Sequence, residues 1–118
     1  SWTFGSAFDV VGDVDGGGAP DIVVTAPESS LEYSRAWILS GRGDWSIHSH
    51  CETFVSAEFG VSCCGIGDVD GDGVRDYLVG EASYRAGASF PGHVHLYSGK
   101  SGEEIACWSQ ESVRGWIR

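Results

Sequence analysis

Seven of the nine aspartates in this chain fall in two nine-residue runs. The second run, Asp68-Val69-Asp70-Gly71-Asp72-Gly73-Val74-Arg75-Asp76, sets carboxylates at positions 1, 3, 5 and 9 and a glycine at position 6. Alternate carboxylates point inward when a backbone wraps a central ion, and glycine permits the sharp turn that wrapping demands. Val74, at position 7, offers a backbone carbonyl, and Asp76 closes the set with both oxygens. About six hard oxygen donors make a site for calcium rather than zinc. Carboxylates this close repel one another unless a cation sits among them. The first run, Asp13-Val14-Asp15-Gly16-Gly17-Gly18-Ala19-Pro20-Asp21, keeps positions 1, 3 and 9, with the Ala19 carbonyl at position 7. Gly17 stands at position 5, so a water must replace that ligand. One Ca2+ is expected per loop, held more tightly by the second.

Other residue types that could do chemistry assemble less well. His48 and His50 share one face of a strand, as do His93 and His95; each pair could chelate zinc, but the sequence identifies no third ligand beside them, so surface or interface positions are expected. Cys51, Cys63, Cys64 and Cys107 allow three disulfide pairings or none. Cys63 and Cys64 fall on a strand that buries one of them, which does not suit a nucleophile. Glu103 and Glu104 are adjacent and point to opposite faces if extended, so they cannot act together as acid and base. Arg42-Gly43-Asp44 spells an adhesion tripeptide, although three-residue matches are common and an ordinary turn is the plainer expectation. No catalytic set emerges, and no enzyme is expected.

The loops lie within a repeat. Phe4-Gly5 returns as Phe59-Gly60, and Gly12-Asp13-Val14-Asp15-Gly16 as Gly67-Asp68-Val69-Asp70-Gly71, each 55 residues on. Leu39-Ser40-Gly41 returns as Tyr97-Ser98-Gly99, 58 residues on, so three residues are inserted around Ala86 to Pro91. Strands are expected at Ser6–Val11, Asp21–Thr25, Arg35–Leu39 and 47–55, and again at Val61–Ile66, Asp76–Gly80, His93–Tyr97 and Glu104–Ser109. Apolar residues alternate or run briefly between turn residues, and nothing sustains a helical period. Two units follow, residues 1–58 and 59–118, and a third Phe-Gly would begin where Ile117 stands.

Three families share the nonapeptide pattern. An EF-hand requires glutamate at position 12, where Val24 and Val79 stand; dockerins need helices and a shorter spacing; thrombospondin-type repeats are denser in Asp and Cys. With strand-like segments on both sides of each loop, the chain resembles FG-GAP repeats, the blades of the integrin α-subunit propeller and of many bacterial surface proteins. Phe4-Gly5 and Phe59-Gly60 carry the first half of that name. Thr25-Ala26-Pro27 and Gly80-Glu81-Ala82 match the second half imperfectly, and Gly92-His93-Val94-His95-Leu96-Tyr97-Ser98-Gly99 matches the blade ending. The resemblance implies an all-β fold of two four-stranded antiparallel propeller blades, with calcium between the first and second strands of each.

Two blades cannot close a ring, since propellers have about four to eight. Partners are therefore expected to be other blades, in a longer chain, a homo-oligomer or a filament, with a protein or glycan ligand as a further possibility. Five tryptophans suit packing between blades or, more sharply, sugar stacking. A formal net charge of −10 argues against nucleic acid and anionic lipid as partners. No apolar run nears the ~20 residues of a membrane helix, and no leader pattern opens the chain, so any signal peptide is expected to be gone. Paired cysteines beside calcium motifs suit an extracellular or cell-surface location.

Overall fold

A computed structural model describes residues 4–27, 34–43, 45–52, 57–83 and 92–109. The expected insertion near Ala86 to Pro91, Asp44 of the tripeptide, Trp2, Trp116 and the chain end at Ile117 lie outside the described residues. The fold is all-β, with no helix among the described residues. Strands β1 (Phe8–Gly12), β2 (Asp21–Ala26), β3 (Ser34–Leu39) and β4 (Ser46–Glu52) form one four-stranded antiparallel sheet in sequential order. Strands β5 (Ala57–Gly65), β6 (Tyr77–Ser83), β7 (His93–Tyr97) and β8 (Glu104–Ser109) form a second of the same topology. Each acidic run joins the first two strands of its sheet.

The pleat explains which residues face the core. In β3 buried and half-buried positions alternate, Ala36 and Ile38 pointing one way and Trp37 and Leu39 the other. Ile38 is paired with Val23 on β2 and His48 on β4, so these share a face. That face, with Val11 and Ala36, packs against Phe59, Tyr77, Val79 and Tyr97 of the second sheet to make one shared core. Burying a side chain such as Ile38 or Val23 stabilises the fold by ~1.5–3 kcal/mol, and both are fully buried.

The first expected strand of the second unit is longer than the pattern suggested. β5 begins at Ala57 and takes in Phe59-Gly60, with a bulge between Phe59 and Ser62. The strand crosses sheet one, packing on β1, β2 and β3. Gly60 has φ +96°, and a Cβ there would stand 3.0 Å from the Thr25 Cβ, so only glycine lets β5 approach this closely. Phe4-Gly5 instead forms a turn ahead of β1, where the Gly5 amide donates to the Thr25 carbonyl at 2.9 Å.

Polar contacts also cross between the sheets. His48 Nε2 lies 2.8 Å from the Gly99 carbonyl, and His50 Nε2 2.6 Å from the Tyr77 hydroxyl. The His50 ring stacks on Tyr97 with centroids 3.8 Å apart, and the Gly65 amide donates to Asp9 Oδ2 at 2.8 Å. His48 and His50 are thus interface residues between the two sheets.

Candidate metal centre

In the second loop one carboxylate oxygen each from Asp68, Asp70, Asp72 and Asp76 lies within 4.8 Å of the others. Backbone amides hold them there. Asp68 accepts from Gly71 at 2.8 Å on one oxygen and from Gly73 at 2.8 Å on the other. Asp70 accepts from the Asp72 amide at 3.4 Å, and Asp72 from the Val74 amide at 3.0 Å. Asp76 is fully buried; its two oxygens accept from the amides of Val69, 2.8 Å, and Gly99, 3.0 Å. A carboxylate has about four lone-pair sites, so each Asp76 oxygen keeps one for a cation.

The first loop gathers Asp13, Asp15 and Asp21 in the same way. Asp13 accepts from Gly18 and Asp15 from Gly17, each at 2.9 Å. Buried Asp21 accepts from the amides of Val14, 2.7 Å, and Gly41, 2.9 Å. Ala19 is half-buried in this loop, and Val74 packs against the core from the other.

Sequence reasoning missed a second element of each site. The Ser-Gly pairs after β3 and β7 lie against the loops. Ser40 Oγ donates to Asp15 at 3.3 Å, and Ser98 Oγ to Asp72 at 3.5 Å. Gly41 and Gly99 donate to the closing aspartates, and a Cβ on either would fall within 2 Å of the Pro20 or Arg75 carbonyl. The recurrence of Ser-Gly at the repeat spacing was the available signal. The Arg42 guanidinium donates to the Gly17 carbonyl, at the position where the first loop lacks a carboxylate.

The electrostatics fit a cation. Hydrogen bonding by the Gly73 amide, above all, holds Asp68 below the usual carboxylate range. Partial desolvation, hydrogen bonding with Asp68 and the charges of Asp76 and Asp72 push Asp70 above it. Asp15 is lowered chiefly by the Gly17 amide. The part of this shift that comes from Asp76 and Asp72 is a repulsion that a divalent ion would relieve. All donors are oxygens, which suits calcium and disfavours softer metals.

The remaining sequence candidates are placed apart from the loops. Burial, then the charge of Asp9, pushes the Cys63 thiol up to about 11. No disulfide joins the four cysteines. Of the tryptophans, Trp37 stacks obliquely on Phe4, while Trp45 and Trp108 are exposed. His95 is buried between Glu81, 2.7 Å from Nε2, and Glu104, 3.1 Å from Nδ1. Burial opposes its charge, but the two carboxylates outweigh that and raise its pKa above the ordinary histidine value. A scan against protein-family models finds no match, and a search of curated proteins finds none.

Proposed function

We propose that this chain is a calcium-stabilised, non-enzymatic pair of FG-GAP-type propeller blades, working outside the cell or at its surface as a module that binds protein or glycan. The observation that carries this is the shared skeleton of the two loops: buried Asp21 and Asp76, each tied to its own loop and to the Ser-Gly turn, hold the other carboxylates converged. Nothing in the core requires exposed carboxylates to be gathered in this way, whereas a bound divalent ion does. Ligand at about 100 times its dissociation constant adds ~2.7 kcal/mol per site. Excess chelator should therefore lower the melting temperature by several degrees, and calcium, not magnesium at equal concentration, should restore it. A melt unchanged by chelator overturns the calcium reading.

A second reading, a structural protein whose blades close a ring or extend a filament, is favoured by the two outward faces. The covered face of sheet one is Val23, Ala36, Ile38, His48 and His50. One repeat later, the same positions in sheet two are Leu78, Val94, Leu96, Ala106 and Trp108, and there Val94 and Trp108 are each 42% exposed. In turn, the outward face of sheet one shows Phe8, 70% exposed, and Val10, 58% exposed, beside Trp37. The interface inside the chain is thus a template for a head-to-tail contact between copies. Native mass spectrometry in calcium should find more than one chain, and Trp108→Glu should reduce it to one. Folded monomers alone at micromolar concentration would overturn this second reading.

A further inference from the structure

We infer that sheet two carries a separate site for a zinc-class ion, with His95 Nδ1, a Glu104 carboxylate oxygen and the Cys107 sulfur as ligands and Glu81 supporting the histidine. One ligand atom from each of His95, Glu104 and Cys107 lies within 4.8 Å of the others. The cluster shares no side chain with the acidic loops.

Its construction follows from strand pairing. Cys107 on β8 is directly opposite His95 on β7. Regular pairing would next place Ile105 opposite Tyr97 and turn Glu104 to the other face. The register shifts between Leu96 and Tyr97, so Glu104 opposes Tyr97 instead. That bulge turns Glu104 to the side of Cys107 and His95, and its oxygen reaches 3.1 Å from Nδ1.

The other ring nitrogen is already committed. Nε2 lies 2.7 Å from Glu81, whose side chain is 4% exposed. A buried carboxylate accepting the Nε2 proton fixes the tautomer that leaves the Nδ1 lone pair free for a metal. Metal-ligating histidines almost always donate their other ring N–H to a fixed acceptor, a carboxylate, a backbone carbonyl or a water, and Glu81 is such an acceptor. An imidazole, a thiolate and one carboxylate make a mixed set that prefers zinc to calcium. Three protein ligands leave the fourth tetrahedral position open towards solvent, where Cys107 and Glu104 are exposed.

The fold does not require these side chains. Sheet one has the same bulge, between Ile38 and Leu39. At the positions one repeat earlier it carries Trp37 for His95, Ser46 for Glu104, Ser49 for Cys107 and Ala26 for Glu81. A blade of this shape therefore forms without a ligand set, and the set in sheet two answers to something else. The rival account is a charged His95 paired with two carboxylates and no metal.

The probe is Co2+, added to the reduced full chain in excess calcium so that the acidic loops are filled. A stoichiometric near-ultraviolet thiolate-to-cobalt charge-transfer band is expected, bleached by one equivalent of Zn2+. Cys107→Ser should abolish the band, and Glu104→Gln should weaken cobalt binding strongly. Glu81→Gln should keep the band while lowering affinity by about 10–100-fold. Cys51→Ser, at an exposed thiol outside the cluster, should leave the titration unchanged. Both Cys107 and Glu104 are exposed, and far-ultraviolet circular dichroism checks that each variant is folded. Absence of the band in the unmodified chain, or a band that survives Cys107→Ser, overturns the site and leaves the ion pair.

Discussion

The two repeats keep one loop skeleton and differ in the charge placed on it. Asp21 and Asp76 make matching hydrogen bonds, one to the second residue of the loop and one to the glycine after the third strand. What differs is position 5, Asp72 in the second loop and Gly17 in the first, where Arg42 donates to the Gly17 carbonyl instead. The serine of the Ser-Gly pair adjusts: Ser98 donates to Asp72, and Ser40 to Asp15 at position 3. The backbone framework is therefore independent of the full ligand set. Burial fixes the closing aspartate, whereas the exposed positions are free to tune binding.

The shared part should give the largest effect. Asp21→Ala strands three amides, those of Val14, Asp15 and Gly41, and Asp76→Ala strands two, one of them in a buried bond in each case. Both should cost about 3 kcal/mol even in chelator, as read by urea denaturation. In calcium Asp76→Ala should cost more than Asp21→Ala, because the second loop then loses the stronger ion. Equal and negligible costs in chelator would show that the closing aspartates serve the ion alone.

The part that differs should give the next effect, in calcium affinity. Asp72→Ala should weaken the tighter of two sites by roughly tenfold, towards the level of the first loop. Gly17→Asp alone should help the first loop little. A Cβ at Gly17 stands 3.1 Å from Asp15 Oδ1 and 3.2 Å from Arg42 Cγ, and the guanidinium holds the adjacent carbonyl. Gly17→Asp with Arg42→Ala removes the Arg42 contact and frees the carbonyl, leaving only the Asp15 carboxylate to turn aside, and should raise affinity roughly tenfold. Calorimetry resolving two equal sites in the unmodified chain would remove the comparison altogether.

Much of this was legible in the sequence because it is local. The aspartate spacing, the glycine turns and the third strands all lie within a few residues of one another, and Ser34–Leu39 and His93–Tyr97 stand at or within one residue of where the pattern put them. What was not legible depends on pairing. Gly41 and Gly99 reach the loops from 20 and 23 residues beyond the closing aspartates. The sequence places Arg42 in an ordinary turn after the third strand, and only the fold shows its side chain engaged with the first loop. The sequence shows no third ligand beside His93 and His95; Glu81 and Cys107 arrive only through the β6–β7 and β7–β8 registers, and Glu104 only through a bulge.

The smallest effect tests the repeats at their fourth strands. His50 in β4 and Trp108 in β8 occupy the same repeat position, but sheet two covers His50, while Trp108 is exposed. Burial first, then the positive charge available to His48 and His95, lowers His50 to about 4. The unfolded chain binds this proton near 6.5 and the folded chain only near 4, so the neutral ring's contribution is intact above 6.5 and is lost as pH falls towards 4. His95, raised by its carboxylates, acts in the opposite direction and in a separate window: its contribution is complete below 6.5 and is lost as pH rises through its folded pKa. His50 is half-buried, so the loss should be about 1–2 kcal/mol after discounting for solvent. His50→Gln keeps a donor near Tyr77 without a titratable ring, and the carboxylates common to both proteins cancel in the difference. Denaturation profiles in calcium should therefore diverge between pH 6.5 and 4, with the unmodified chain falling faster, while Trp108→Gln leaves the slope unchanged. Parallel profiles for His50→Gln would mean that protonated His50 is accommodated between the sheets, and that the covered face of the first repeat is no drier than the open face of the second.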